Sequence, residues 1–180
     1  MHLDLMRDPA KKFPAIDRHM EITSMRIWHC KYASLKSLDQ FQNVEELIIG
    51  SFPDSSLDVL EPLHKLRYLS ILHMPKISDL AILTKFENLE SLSLSTSPAW
   101  DASRKCTVVQ SLLPIAKMVS LKHLELFGIC PENKSLADLD NCKKLESARF
   151  SQYPSDEIER FYQKTGLENH YNPPPLLMKT

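Results

Sequence analysis

The feature that most constrains this chain is a six-residue pattern that recurs six times: apolar, two variable residues, apolar, one variable residue, apolar. The copies are Ile22-Met25-Ile27, Val44-Leu47-Ile49, Leu66-Leu69-Ile71, Leu89-Leu92-Leu94, Leu121-Leu124-Leu126 and Leu145-Ala148-Phe150, with starts separated by 22, 22, 23, 32 and 24 residues. One copy would carry no information. Six in near-constant register specify a unit stacked on itself, because a piece this short cannot bury its own apolar face and is stable only against its neighbours.

The periodicity changes inside each unit. Leu92-Ser93-Leu94 and Leu124-Glu125-Leu126 alternate with period two, which is the pattern of a strand with one buried face. The period then becomes three, as in Leu35-Leu38-Phe41-Val44, Leu57-Leu60-Leu63-Leu66 and Ile77-Leu80-Leu83-Phe86-Leu89. Side chains at i and i+3 eclipse in 3₁₀ geometry, so these runs predict 3₁₀ turns or short helices behind a parallel sheet. A purely helical solenoid is the rival, and Ser91-Leu92-Ser93-Leu94-Ser95 argues against it, because alternating serine and leucine suit a pleated strand.

The motif resembles the leucine-rich repeat family in its short-period class, shared by phosphatase regulatory subunits and bacterial interaction proteins, over residues 22–153. The resemblance implies an α/β fold: a right-handed leucine-rich-repeat solenoid with a parallel β-sheet on the concave face and 3₁₀ or short helices on the convex face. It also implies partner binding on the concave face. The sequence departs from the family at one place. Asn or Cys is usual three residues after the third apolar position; only Cys30 conforms, and Phe52, Met74, Ser97, Ile129 and Tyr153 stand at the other places. Apolar packing is expected to replace the polar ladder.

One domain over residues 1–180 is expected. Residues 1–21 read as an N-terminal cap or tail, since Phe13 and Ile16 continue the three-residue step. Residues 22–153 hold about six repeats, and the long interval places an inserted loop near 97–106 around Trp100. Residues 154–167 read as a C-terminal capping helix. It starts at Pro154-Ser155-Asp156-Glu157, turns Ile158, Phe161 and Tyr162 inward and stops at Gly166. Residues 168–180, with Pro173-Pro174-Pro175, read as an extended tail.

Composition narrows the function. The only glycines, Gly50, Gly128 and Gly166, are too far apart to build a phosphate-cradling loop. Twelve prolines against three glycines suggest turns made with Ser, Asn, Asp and Pro and few positive-φ positions. The net charge of −1 lacks the basic excess of a nucleic-acid binder. No run of signal-peptide or membrane-spanning character occurs, which points to the cytoplasm. The four cysteines lack metal-binding spacing and read as thiols. No cofactor or metal is expected. His29 and His73 occupy equivalent places two repeats apart, about 10 Å at the usual strand spacing, and Glu45 and Glu46 point to opposite sides of a strand.

The outward strand positions are the candidate surface. Trp28, Ile48, Tyr68, Leu72 and Phe127 are more apolar than a solvated sheet requires, with Arg26, Glu46, Glu125 and Arg149 between them to fix orientation. Trp100 either covers the solenoid or touches a partner. The expectation is a non-enzymatic protein-interaction module that binds a partner protein, with no nucleic acid and no membrane. A homodimer formed through the edge strand or concave face is one alternative. A regulatory subunit of an enzyme such as a phosphatase is another.

Overall fold

The computed structural model describes residues 1–176. Seven strands form one parallel sheet in the order β1-β2-β3-β4-β5-β7-β9: β1 His2–Met6, β2 Ser24–Trp28, β3 Glu46–Gly50, β4 Tyr68–Leu72, β5 Ser91–Ser95, β7 His123–Phe127 and β9 Ser147–Ser151. A second, two-stranded sheet pairs β6 Thr107–Val109 with β8 Ile129–Pro131. The repeat sets the register. Met25, Leu47, Leu69, Leu92, Leu124 and Ala148 oppose one another strand by strand, and none has accessible surface.

The three-residue spacing has a direct backbone cause. Leu38 N–H donates to the Leu35 carbonyl at 2.9 Å, Phe41 to Leu38 at 3.0 Å and Val44 to Phe41 at 3.1 Å. Each apolar residue thus bonds to the previous apolar residue, and the chain returns through linked i→i+3 turns that keep every third side chain inward. The same linkage recurs through Leu80-Leu83-Phe86-Leu89 and Leu136-Leu139-Cys142-Leu145. Acidic side chains of the following unit cap these turns. Asp54 accepts from Leu35 N–H (2.8 Å) and Ser34 Oγ (2.6 Å), and Glu157 accepts from Leu136 N–H (2.6 Å).

The turn that leaves each strand overturns the expectation of few positive-φ residues. Arg7, His29, Ser51, His73, Gly128 and Gln152 each follow the last residue of a strand, with φ between 51° and 71°. In this conformation Arg7, His29, Ser51 and His73 donate their N–H groups to the next strand's Trp28, Gly50, Leu72 and Ser95 carbonyls. The ladder's hydrogen bonds compensate non-glycine residues for left-handed geometry. Glycine is compelled only where space is lacking: a Cβ on Gly128 would lie 2.5 Å from Thr96 Oγ1. The places where Asn is usual are filled as the sequence suggests. Phe52, Met74, Ile129 and Tyr153 are buried, Tyr153 donates its hydroxyl to the Ile129 carbonyl, and the Cys30 thiol reaches the Leu5 carbonyl.

The N-terminal segment differs from a simple cap. β1 extends the sheet, with Leu3 opposite Met25 and Leu5 opposite Ile27. The first apolar position of its motif would fall before Met1, so the six-residue pattern cannot appear there. At the other end α3, Ser155–Thr165, lays Phe161, fully buried, against Phe150. The insertion forms a short helix, α1, Pro98–Ala102, started by Ser97 and Pro98. The four-residue helix α2, Leu113–Ala116, replaces a 3₁₀ turn on the convex side.

Candidate functional site

The concave face is built from the outward residues at the first, third and fifth positions of each strand, which form three lanes across the sheet. The first lane is Ser24, Glu46, Tyr68, Ser91, His123 and Ser147. It is not the open surface that the sequence suggests. Glu46 is 7% exposed, Ser91 2%, His123 7% and Ser147 1%. The cause is the segment after α3, which turns back over the sheet. His170 bridges to Ala148 of β9 in antiparallel sense, and Asn172 N–H donates to Ser147 Oγ at 3.1 Å. The Tyr171 hydroxyl faces that of Tyr68, in proximity but outside ideal hydrogen-bond geometry. Burial pushes both phenols up from their usual pKa, so both stay protonated. Pro174, Pro175 and Leu176 share a recess of about 160 Å³ with Glu46, Tyr68 and Ser91.

Charges in the middle lane are matched within the sheet. Arg26 takes both oxygens of Asp4, its neighbour on β1, with Nε 2.9 Å from Oδ1. Glu125 is 8% exposed and accepts from Ser93 Oγ at 2.8 Å and Arg149 Nε at 2.6 Å. The Arg149 guanidinium also lies 5.0 Å from the Phe127 ring centre. Arg26, Glu125 and Arg149 are therefore tied to adjacent strands, with Arg149 still exposed to solvent. Ile48 lies half-buried between them.

The last lane keeps its apolar character. Trp28, Leu72 and Phe127 are half-buried. The Trp28 ring lies flat on Gly50, where a Cβ would approach Cε3 to 2.8 Å, so glycine there allows the indole to rest on the sheet. Trp100 comes from the insertion and meets His73 edge to face, with ring centres 5.1 Å apart, while Lys105 Nζ sits 4.2 Å from its ring. Asp101 ties α1 to the far end of the sheet by accepting from Gln152 Nε2 at 2.9 Å. Trp100 therefore folds onto the solenoid beside the last lane.

Three serine–histidine contacts escaped the sequence reading: His2–Ser24 at 2.9 Å, His29–Ser51 at 2.9 Å and His123–Ser147 at 2.8 Å. Each joins equivalent positions of neighbouring units, two pairs on the strands and His29–Ser51 in the turns that follow them. Their recurrence marks them as ladder contacts of the solenoid, not as one nucleophile with its base. Among the described residues no three His, Cys, Asp or Glu side chains converge on a point where a metal ion could sit. The face presents aromatic surface and a few hydrogen-bonding groups.

Solved structures of similar fold exist. An internalin C2 from Listeria monocytogenes matches with a TM-score of 0.50 at 17% identity, covering 73% of this chain and 62% of that one. A second internalin from the same organism gives a TM-score of 0.40 at 16% identity, covering 83% of this chain and 54% of that one. The chain spans less than two thirds of either internalin. No protein-family model matches the chain, and no curated protein matches it. The internalin C2 likeness is one of fold.

Proposed function

From this leucine-rich-repeat fold we propose that the chain is a non-enzymatic module that binds a partner protein through the open part of its concave face. The observation that carries this reading is the half-buried apolar stripe of Trp28, Ile48, Leu72 and Phe127 on a sheet whose backbone is fixed by parallel pairing on both sides. Large rings held rigidly before binding lose little entropy on association, which makes them efficient anchors. Arg26 and Arg149, already held by Asp4 and Glu125, supply a polar rim whose geometry is set in advance.

Capture of partner proteins by the wild type and by a Trp28→Ala/Phe127→Ala variant tests this reading. Val119→Ser on the convex side, where Val119 is 58% exposed, serves as the control. The concave variant is expected to lose the partner that wild type and control both recover. Equal recovery by all three sinks the assignment. Self-association is a second reading, favoured by β1, which stands at the sheet edge with Met6 51% exposed. Light scattering that gives a monomer mass at all concentrations removes it.

A further inference from the structure

We propose that the first lane of the concave face is a docking groove for an extended polypeptide carrying a tyrosine followed by a proline run. Residues His170–Leu176 of this chain are its resident, displaceable occupant. The inference rests on the concave face being a protein-binding surface and says which chemistry one part of that surface takes.

The segment crosses the strands instead of continuing the solenoid. Pro173, Pro174 and Pro175 fix φ near −65° and hold the residues before them extended. The segment leaves β9, where Ala148 bridges His170 and Ser147 Oγ accepts the Asn172 N–H, and Pro174, Pro175 and Leu176 reach the recess beside Glu46 on β3. The groove reads the segment at three places. Ala148 pairs with His170, Ser147 Oγ accepts the Asn172 N–H, and Tyr68 meets Tyr171 beside Glu125 and Arg149.

The contact is one-sided. Asn172, Pro174 and Pro175 are exposed on the outer surface, and residues 171–176 form no strand. A segment held this lightly is retained because it is tethered, at an effective concentration on the order of millimolar. A proline-stiffened segment from a partner can make the same contacts at a small cost in chain entropy. The tail then acts as an internal competitor and sets a threshold for partner binding.

The test uses full-length protein and a fluorescent peptide of residues 168–176, Glu-Asn-His-Tyr-Asn-Pro-Pro-Pro-Leu, followed by anisotropy. Asn172→Pro removes the N–H that Ser147 accepts and changes only an exposed tail residue. Tyr171→Ala removes the anchor. Both variants are expected to bind the peptide at least tenfold more tightly than the wild type. A peptide with alanine in place of its tyrosine is expected to bind neither variant. Should Tyr171→Ala fold poorly, Asn172→Pro decides alone. Equal binding to wild type and Asn172→Pro overturns the proposal, as does absence of binding at millimolar peptide. A wild-type mass that rises with concentration and falls in Asn172→Pro overturns the internal placement in favour of tails exchanged between copies. None of these outcomes depends on Trp28 or Phe127, so this proposal and the broader reading can fail separately.

Discussion

Gly128 provides the sharpest test of how the solenoid turns are made. In a Gly128→Ala variant the new methyl meets two costs. The backbone holds φ at 68°, which costs a non-glycine residue about 1–2 kcal/mol. The added Cβ would also stand 2.5 Å from Oγ1 and 3.1 Å from Cγ2 of Thr96, a residue only 4% exposed and without room to swing aside. Overpacking of this kind costs about 1–3 kcal/mol. The sum is roughly 2–5 kcal/mol, a fall in Tm of roughly 5–15 °C for a chain of this size. Thr96→Ala removes both close atoms and leaves only its Cβ, at an ordinary 3.4 Å. In a double-mutant cycle read by urea unfolding, Thr96→Ala is expected to rescue the steric part and leave the conformational part. Arg7 holds the same turn position with φ 51° and an exposed side chain, so Arg7→Gly is expected to raise stability by about 0.5–1 kcal/mol. A Gly128→Ala variant within 0.5 kcal/mol of wild type, or a cycle with no coupling, would refute the reasoning.

Two further outcomes follow from the electrostatics. Hydrogen bonds from Arg160 and Leu136 N–H hold the Glu157 carboxyl down to about 2, so folded protein binds its proton less readily than unfolded protein. The stabilisation is complete above the ordinary carboxylate pKa and is lost as pH falls from about 4.5 towards 2. Glu157→Gln is expected to cost roughly 1–2 kcal/mol at neutral pH and to flatten the acid limb of the stability curve. An unchanged acid limb would remove Glu157 from the account. The second concerns His73, whose pKa is lowered by burial and then by the nearby His29 charge. Trp100→Ala opens that ring to water, and NMR titration is expected to show the His73 pKa rising towards the ordinary value. No shift would mean that Trp100 does not cover it.

The framework was legible in the sequence because each unit repeats the same physical instruction. Leu47, Leu69 and Leu92 stack because a spacing of 22 or 23 residues returns the chain one strand over. Period two and period three separate the strand from the return. β1 escaped because only Leu3 and Leu5 of its motif lie within the chain. The left-handed turns escaped because glycine content reports where a side chain is forbidden, as at Gly128, not where a ladder compensates for strain, as at His29 and Ser51. Alternation assigned Glu46, Tyr68 and Glu125 correctly to the outward face. Their cover by a non-periodic segment, meeting them over more than forty positions of sequence in every case, leaves no trace in local pattern. The pairing of Arg26 with Asp4 depended on the unrecognised strand for the same reason.

The central claim, that the open concave lane receives a partner, is tested most directly by hydroxyl-radical footprinting of the chain with and without a captured partner. Trp28, Phe127 and Met6 are the reporters on the concave side, and Val119 and Leu113, 58% and 49% exposed, report on the convex side. The account predicts that oxidation of Trp28, Phe127 and Met6 falls several-fold in the complex while Val119 and Leu113 keep their rates. Protection of Val119 and Leu113 with Trp28 and Phe127 unchanged would contradict it.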